Sequence, residues 1–328
     1  MSDGHPIHLR KRPAINYLSF PLDSPQVLQE RLVHYLLSEL ACLSDLLGRP
    51  ISSAGISLGA ALNARTGLVL NSGPLWGPNS SEFDLLAVLR GQNSKVSWHL
   101  FNDITANLLF YATMPQLEQY SKLSLITVST GIGMRTFEKN GTRIPTDTEH
   151  GIQGEIGHIA IKFELFGNLL ELDCDCGGRN HLNAFCSGRG IGRVLERVAN
   201  NIPRRNGPPW FEEIRRASSE EARKKIFTAA VAAGDKLAGE ALDCLTKPLA
   251  EVLIFMFTID PTIEQVLFIG GVVRSLGARY LESVLQNACR MGLYQISNRD
   301  SSYFHRRVVL GSAGDDAGLM GAGMFTDN

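Results

Sequence analysis

Gly154-Glu155-Ile156-Gly157-His158, followed further along by Cys174-Asp175-Cys176-Gly177-Gly178-Arg179-Asn180-His181, is the stretch that decides the fold. Zinc prefers four nitrogen or thiolate ligands in a tetrahedron, and two cysteines one residue apart on a glycine-rich loop can reach one ion. Two histidines would complete the set. The pattern therefore predicts a structural zinc site whose ligands are His158, Cys174, Cys176 and His181.

Two alternatives to this ligand set stay open. The cysteines are either a pair of buried, reduced thiols beside unrelated histidines, or ligands of a site in which Cys186 replaces His181. Four protein ligands describe a structural metal, because a catalytic zinc usually keeps a water. The metal would then shape the loop 154–187 and leave the chemistry to neighbouring side chains.

Glu155 and His158 are the candidate substrate residues of this loop. If His158 binds metal through one ring nitrogen, the other nitrogen can hydrogen-bond a substrate hydroxyl. Glu155, three residues earlier, would accept a neighbouring hydroxyl. One short segment would thus join metal binding to the recognition of a polyhydroxylated substrate.

The composition narrows the class of partner. The 328 residues include 32 basic and 33 acidic side chains, and the formal net charge is -1. No overall field therefore favours nucleic acid or an anionic membrane, and a small molecule is the expected partner.

The sequence contains no apolar run of the roughly 18 to 20 residues that a membrane helix needs, and the first 20 residues lack the layout of a signal peptide. A soluble, cytoplasmic protein is predicted.

Short apolar runs separated by helix-compatible sequence indicate an α/β protein. A helix is predicted to begin at Ser24-Pro25, where a capping hydroxyl precedes proline, and to end at Gly48. The Asn140-Gly141 pair predicts a tight hairpin turn. The predicted strands cover residues 51–58, 96–101, 123–128, 266–269 and 308–310.

The length allows two domains with separate cores, because single cores stop growing near about 250 to 300 residues. The predicted division is an N-terminal α/β domain over residues 1–103 and a larger C-terminal α/β domain over 104–310. A C-terminal helix within 311–328 would return to the N-terminal domain.

Asn102 and Asp103 follow a predicted strand, and ligands of open α/β sheets bind at the carboxyl ends of strands. A carboxylate there can take the proton from an attacking alcohol, which is the task of the base in phosphoryl transfer. An Asn-Asp pair is also typical of a turn or a helix cap. The pair is assigned to substrate binding because other motifs of a nucleotide site occur in the same sequence.

Two glycine-rich turns are the motifs that accompany the Asn-Asp pair. Ser129-Thr130-Gly131-Ile132-Gly133 follows one predicted strand, and Gly270-Gly271 follows another. Small residues there let main-chain amides approach an anionic phosphate. Ordinary tight turns have the same composition. Together the turns predict a nucleotide site that binds ATP with magnesium through Ser129, Thr130, Gly131, Gly133, Gly270 and Gly271.

These motifs, in this order, resemble the ROK family (repressors, open reading frames and kinases) over roughly residues 50 to 325. The resemblance implies a two-domain, actin-like (ribonuclease H-like) sugar kinase fold with a cleft between the domains. It also implies that Asp103 is the catalytic base, and that Asn102, Glu155 and His158 hold sugar hydroxyls.

The sequence departs from the family pattern in ways that bear on function. His181 replaces a cysteine and preserves a zinc ligand, whereas Asn183 replaces a glutamate beside the anomeric end of the sugar. The substrate is therefore expected to lack an ordinary anomeric hydroxyl. Ser129 replaces a glycine, which is a tolerable change. The Asp-x-Gly-Gly-Thr motif of the family kinases does not occur in residues 1–24, so the N-terminal domain is expected to lack its first strands.

The resulting expectation is an ATP-dependent phosphotransferase that acts on the primary hydroxyl of a hexose-like substrate. Asn183 would help to position that substrate. A C7 cyclitol of the valiolone type is the first choice, since His181 and Asn183 resemble the cyclitol-kinase branch of the family, and glucose or an N-acetylhexosamine is the second. The alternative is a non-catalytic sugar-binding or regulatory protein of the same family. A homodimer is expected as the commonest oligomer.

Overall fold

The computed structural model describes residues 8–77, 81–139, 144–202, 207–314 and 316–324. The strands are β1 (Ser53–Leu58), β2 (Ala61–Leu62), β3 (Val69–Asn71), β4 (Ser97–Asn102), β5 (Lys122–Val128), β6 (Ile132–Glu138), β7 (Phe163–Leu165), β8 (Asn168–Leu170), β9 (Gln265–Ile269) and β10 (Val308–Leu310). The helices are α1 (Pro25–Leu47), α2 (Gly73–Trp76), α3 (Leu85–Gln92), α4 (Asp103–Ala112), α5 (Leu182–Cys186), α6 (Gly188–Asn201), α7 (Pro209–Arg216), α8 (Glu220–Ala232), α9 (Lys236–Ile259), α10 (Gly271–Leu276), α11 (Ala278–Met291), α12 (Tyr303–Arg307) and α13 (Ala317–Met324). Short 3-10 helices cover Pro115–Leu117 and Ile156–His158.

The first helix, α1, begins and ends where the sequence predicts. The hydroxyl of Ser24 accepts a hydrogen bond from the Val27 amide at 3.4 Å, and a proline stands in the first turn. Gly48 ends the helix with a φ of 64°, a left-handed conformation that glycine adopts without steric cost. The predicted turn at Asn140-Gly141 lies outside the described residues.

The chain forms two compact units. The first unit contains Met1–Gln119, Phe137–Gln153 and Ala313–Asn328, and the second contains Tyr120–Thr136 and Gly154–Ser312. The first unit therefore continues past the predicted boundary at Asp103, because α4 packs against α13 and β1 of the same unit. The helix at the end of the chain belongs to the first unit as well.

In the first unit, β1 and β4 form a parallel pair. Leu58 lies opposite Asn102 in the register, so the residues that follow both strands meet at one edge. Asp103 and the Gly59-Ala60 segment are thereby brought together. Among described residues 8–24, no strand precedes α1.

In the second unit, a four-stranded sheet has the order β10-β9-β5-β6, and β9 is parallel to both β5 and β10. Thr127 lies opposite Ile269, which brings the turns after β5 and β9 to the same edge. Most residues of the inner strands β5 and β9 are buried, and most of the buried ones are apolar, as is typical of a sheet covered on both faces. These elements confirm the predicted α/β class.

The loop 154–187 of the second unit carries the hairpin β7-β8 and the short helix α5. Phe163 of β7 stacks on Phe185 of α5 with ring centroids 4.9 Å apart, and both side chains are buried. The loop is therefore anchored to the core at this pair. Within the part of the chain that the structure describes, no helix is both long and apolar enough to cross a bilayer.

Candidate active site and metal centre

Four potential metal ligands converge in the loop 154–187. His158 ends the 3-10 helix Ile156–His158, and His181 caps the N-terminus of α5 without using its side chain for the cap. The two histidine rings are perpendicular, with centroids 5.5 Å apart. The group consists of His158, Cys174, Cys176 and His181. Each residue offers one ligand atom, and these four atoms all lie within 4.8 Å of one another.

The turn that carries the two cysteines is closed by main-chain hydrogen bonds. The Cys174 amide donates to the Gly178 carbonyl at 2.8 Å, and the Gly177 amide donates to the Cys174 carbonyl at 2.9 Å. A Cβ added to Gly178 would lie 2.2 Å from Cε1 of His181. Only a glycine at position 178 therefore leaves room for the His181 ring to pack against this turn.

Burial affects the two kinds of ligand in the group in opposite ways. It lowers the pKa of the His158 imidazole, which favours the neutral form that binds metal, and it raises the pKa of the Cys174 thiol to about 11, which favours the protonated thiol when no cation is bound. The Cys176 sulfur lies 3.2 Å from Nδ1 of His181. A divalent cation would favour the thiolates and the neutral imidazoles together. Two thiols and two imidazoles at this spacing form a donor set that fits tetrahedral zinc.

An ion-pair network holds the cysteine turn against α6 and α8. Both oxygens of Asp175, between the two cysteines, receive arginine nitrogens at 2.9 Å, one from Arg189 and one from Arg193. The same arginines contact Glu220, at 3.2 and 2.7 Å. The network couples the position of the turn to the start of α6.

Cys186, the alternative fourth ligand, lies apart from this group. It is buried in α5, and among the described residues the metal-ligand group does not include it. Its thiol lies in an environment shared with Glu251 and Tyr280, where burial raises the thiol pKa. Its contacts are those of a core residue.

Glu155 is paired with an arginine that the sequence analysis missed. Nη2 of Arg135 donates to Oε1 of Glu155 at 3.0 Å, and Nη1 donates to the carbonyl of Met134. Arg135 is only 3% exposed. A charged residue within the mostly buried strand β6 is the signal that would have found it, because buried charges are normally paired.

Asn183 lies where three segments of the second unit meet. Its Oδ1 accepts a hydrogen bond from the Ile132 amide at 2.6 Å. A Cβ added to Gly157 would lie 2.5 Å from the same oxygen, and a Cβ added to Gly131 would lie 3.8 Å from it. The side chain thus links α5 to the turn after β5 and to the segment 154–158.

The two predicted phosphate turns are neighbours. A Cβ on Gly271 would lie 3.9 Å from Oγ of Ser129, and a Cβ on Gly270 would lie 2.4 Å from the Val128 carbonyl oxygen. The amide of Gly188, at the start of α6, donates to the Ser129 carbonyl at 2.7 Å. The structure therefore brings together the predicted residues Ser129, Thr130, Gly131, Gly133, Gly270 and Gly271 at one edge of the sheet.

In the first unit, Asn102 is the cap of α4. Its Oδ1 accepts from the amides of Ile104 and Thr105 at 2.9 and 3.3 Å, and its Nδ2 donates to the Ala60 carbonyl at 2.8 Å. The residue is 8% exposed. The predicted contact from Asn102 to a substrate hydroxyl stays a prediction, since both polar atoms already have main-chain partners.

Asp103 occupies the first turn of α4, where the helix dipole stabilises a carboxylate. Its Oδ1 accepts from the Ile104 amide at 2.9 Å. A Cβ on Gly59 would lie 3.5 Å from Oδ2, and the Gly59 carbonyl is fixed by the buried hydroxyl of Ser72 at 2.8 Å. The Asp103 carboxylate therefore lies against a segment that the Ser72 side chain helps to hold, and no motif in the sequence had indicated Ser72.

Comparison with known proteins places these features in a family. Residues 25–328 match the ROK family. The chain belongs to the ROK family. This ROK protein is 35% identical over 291 residues to the 2-epi-5-epi-valiolone 7-kinase of Actinoplanes sp., across 88% of this chain and 79% of the relative. It is 29% identical to the C(7)-cyclitol 7-kinase of Streptomyces hygroscopicus subsp. limoneus, across 97% of this chain and 87% of the relative.

The fold agrees with that of solved members of the family. The ROK glucokinase from Streptomyces griseus, determined in complex with glucose and AMPPNP, superposes with a TM-score of 0.69. The alignment covers 91% of this chain and 88% of the glucokinase at 19% identity, which shows the fold alone. The predicted actin-like sugar kinase fold is confirmed.

Proposed function

We propose that this ROK protein is an ATP-dependent kinase that phosphorylates the primary hydroxyl of a C7 cyclitol of the valiolone type. The observation that carries the proposal is the 35% identity, across 88% of this chain, to a 2-epi-5-epi-valiolone 7-kinase. The polar side chains of the loop 154–187 support it, because they suit a polyhydroxylated ring. Glucose or an N-acetylhexosamine is the second choice of substrate.

In the proposed mechanism Asp103 is the general base. It takes the proton of the primary hydroxyl as that oxygen bonds to the terminal phosphorus of ATP and ADP departs. The position in the first turn of α4 supports this role, since the helix N-terminus favours the ionised carboxylate. Asn102 keeps that turn in place through its cap.

The second unit supplies the proposed contacts to the ring and to the nucleotide. Glu155, held by Arg135, accepts one ring hydroxyl, and His158 binds a neighbouring one. The main-chain amides of the turns 129–133 and 270–271 hold the phosphates of ATP, whose charge magnesium helps to neutralise.

The proposed metal is a structural zinc. Its ligands are the two cysteines and two histidines whose donor atoms lie within 4.8 Å of one another. The ion would cross-link the segment that ends at His158 to the start of α5, and it has no part in the transfer step.

A phosphoryl-transfer assay over a panel of C7 cyclitols and hexoses tests the proposal. We expect turnover with the cyclitols, and Asp103→Asn should lower kcat by about 100- to 10,000-fold because it removes the base. Asp84→Asn is the matched control: Asp84 caps α3 in the same unit, and asparagine caps equally well, so activity should be unchanged. Absence of turnover with every compound, together with polyol binding seen by calorimetry, would overturn the kinase assignment.

A second candidate is a sugar-binding protein without transferase activity. The same assay separates the candidates, because a binding protein would give a calorimetric signal with the polyol and form no ADP. The homodimer and the cytoplasmic location stay predictions, which light scattering and cell fractionation would test.

A further inference from the structure

A cavity of about 310 Å³ lies within the second unit, between the end of α8 and the first halves of α9 and α11. Its volume falls within the range of about 300 to 1,000 Å³ that small-molecule sites occupy. The described residues that line it include none of those assigned to substrate, nucleotide or metal. The cavity is therefore a separate place for a small ligand.

Asp243 supplies a fixed hydrogen-bond acceptor to this cavity. Its Oδ1 accepts from the hydroxyl of Ser283 at 2.6 Å, and Ser283 is only 5% exposed. Oγ of Ser283 also lies 2.6 Å from Oγ1 of the buried Thr246. Asn287 donates to the Asp243 carbonyl at 2.9 Å and to the Thr246 oxygen at 3.1 Å. This buried network holds one oxygen of the Asp243 carboxylate, while Oδ2 has no hydrogen-bond partner among the described residues.

Arg279 supplies hydrogen-bond donors to the same cavity. Its Nη1 donates to the Val231 carbonyl near the end of α8, which fixes the guanidinium. Within the described part of the chain, its Nε and Nη2 have no acceptor. Arg279 and Ser283 are one helical turn, about 6 Å, apart on α11. The donor group and the acceptor group of the cavity are therefore anchored about one turn apart.

The charges around the cavity favour a ligand that carries both signs. The charged lining residues are three carboxylates and two cations, namely Asp235, Asp243 and Glu282, and Lys236 and Arg279. A simple anion would meet more carboxylates than cations, and a simple amine would leave the Arg279 guanidinium without an acceptor. An ammonium group matches the carboxylate of Asp243, and a carboxylate matches the guanidinium of Arg279.

We infer that this cavity binds a free α-amino acid, whose carboxylate pairs with Arg279 and whose ammonium group donates to Asp243. The two charged groups of an α-amino acid share one carbon. With a charge-assisted hydrogen bond of about 2.8 Å at each end, they span a separation of about one helical turn. Gly239 also lines the cavity, and a Cβ added there would meet nothing within 4 Å, so the ligand has room over the backbone of α9. This binding site goes beyond the proposed function, because it takes no part in phosphoryl transfer.

Calorimetric titration of the full chain with a panel of the proteinogenic α-amino acids tests the site. At least one should bind, and its amide and its N-acetyl derivative, which each lack one charged group, should bind on the order of 10-fold or more weakly. Asp243→Asn and Arg279→Gln should each weaken binding of that amino acid by a similar factor. Glu251→Gln is the matched control, since Glu251 is exposed on α9 and does not line the cavity. It should bind as the wild type does.

Gly239→Leu tests the location without removing a charge. Leucine forms helix better than glycine, so the variant should fold with an undiminished Tm, and its side chain would occupy the cavity. Binding should be lost. The inference is overturned if no amino acid of the panel binds, if the amide and the N-acetyl derivative bind as tightly as the parent, or if Gly239→Leu binds normally. Because binding is measured directly, these outcomes do not depend on kinase activity.

Discussion

The Asn102-Asp103 region and the loop 154–187 both carry predicted substrate residues, but they are held in different ways. In the first, a side chain caps α4 and fixes the neighbouring segment through main-chain hydrogen bonds. In the second, the pair Phe163 and Phe185 anchors the loop to the core, and ion pairs and the predicted metal group hold the segments that carry Glu155 and His158. The first region should therefore tolerate loss of metal, whereas the second should depend on it.

Metal removal is the strongest way to test that difference. Cys174→Ser, or prolonged chelation, should reduce zinc from about one per chain to none and lower Tm by about 10 °C. Polyol binding should weaken at least about 100-fold, because the metal would no longer hold His158, the proposed metal ligand that also contacts the substrate. Atomic absorption, calorimetry and thermal unfolding measure the three effects. A chelated protein that binds polyol normally would contradict the dependence.

Gly178→Ala tests the metal group without touching a ligand. The added Cβ would lie 2.2 Å from the His181 ring, so the ring must move, and zinc affinity should fall about 10- to 100-fold. Competition with a zinc indicator measures this. Gly239→Ala within α9 is the control, because its Cβ meets nothing within 4 Å. It should leave zinc affinity unchanged and raise stability by about 0.5–1 kcal/mol.

Asn102→Ala tests the opposite region and should leave zinc affinity as it is. The change removes the cap of α4, which costs about 1 kcal/mol, and leaves the Ala60 carbonyl without its donor. The free energy of unfolding should fall by about 2 kcal/mol in urea titrations. Asn102→Asp, which keeps the capping oxygens, should lose less. Equal losses for both variants would show that the cap is not what stabilises this region.

The smallest effect concerns the ion pairs around the cysteine turn. Burial opposes ionisation of Glu220, but Arg193 and Arg189 outweigh it and hold its pKa below the ordinary 4.5. A carboxylate whose pKa is lowered by folding stabilises the folded state at pH values above its ordinary pKa. This contribution to the free energy of unfolding is lost as the pH falls below the ordinary pKa. Glu220→Gln should thus cost under about 1 kcal/mol at pH 7, after screening by solvent, and less near pH 4. Thermal unfolding at both values checks the sign, and a difference that grows on acidification would refute it.

Much of the fold follows from local pattern. The boundaries of α1 come from a serine cap and a terminal glycine, which act through neighbouring atoms. The strands β1, β4, β5, β9 and β10 fall where short apolar runs predict them, because buried parallel strands need apolar side chains on both faces. The extent of the first unit could not be read in this way, since it depends on the packing of α4 against α13, which are far apart in the sequence.

The site divides along the same line. The types of residue in the loop 154–187 were enough to predict a metal group, because ligand chemistry is a property of the side chains themselves. The contacts of the site residues depend on parts of the chain that are distant in sequence. The Arg135 guanidinium in β6 donates to Glu155, and the Ile132 amide orients the carboxamide of Asn183. The sequence alone determined which chemical groups this protein carries. Only the tertiary structure decided which atom each group presents, because hydrogen-bond direction depends on the partner that folding brings into contact.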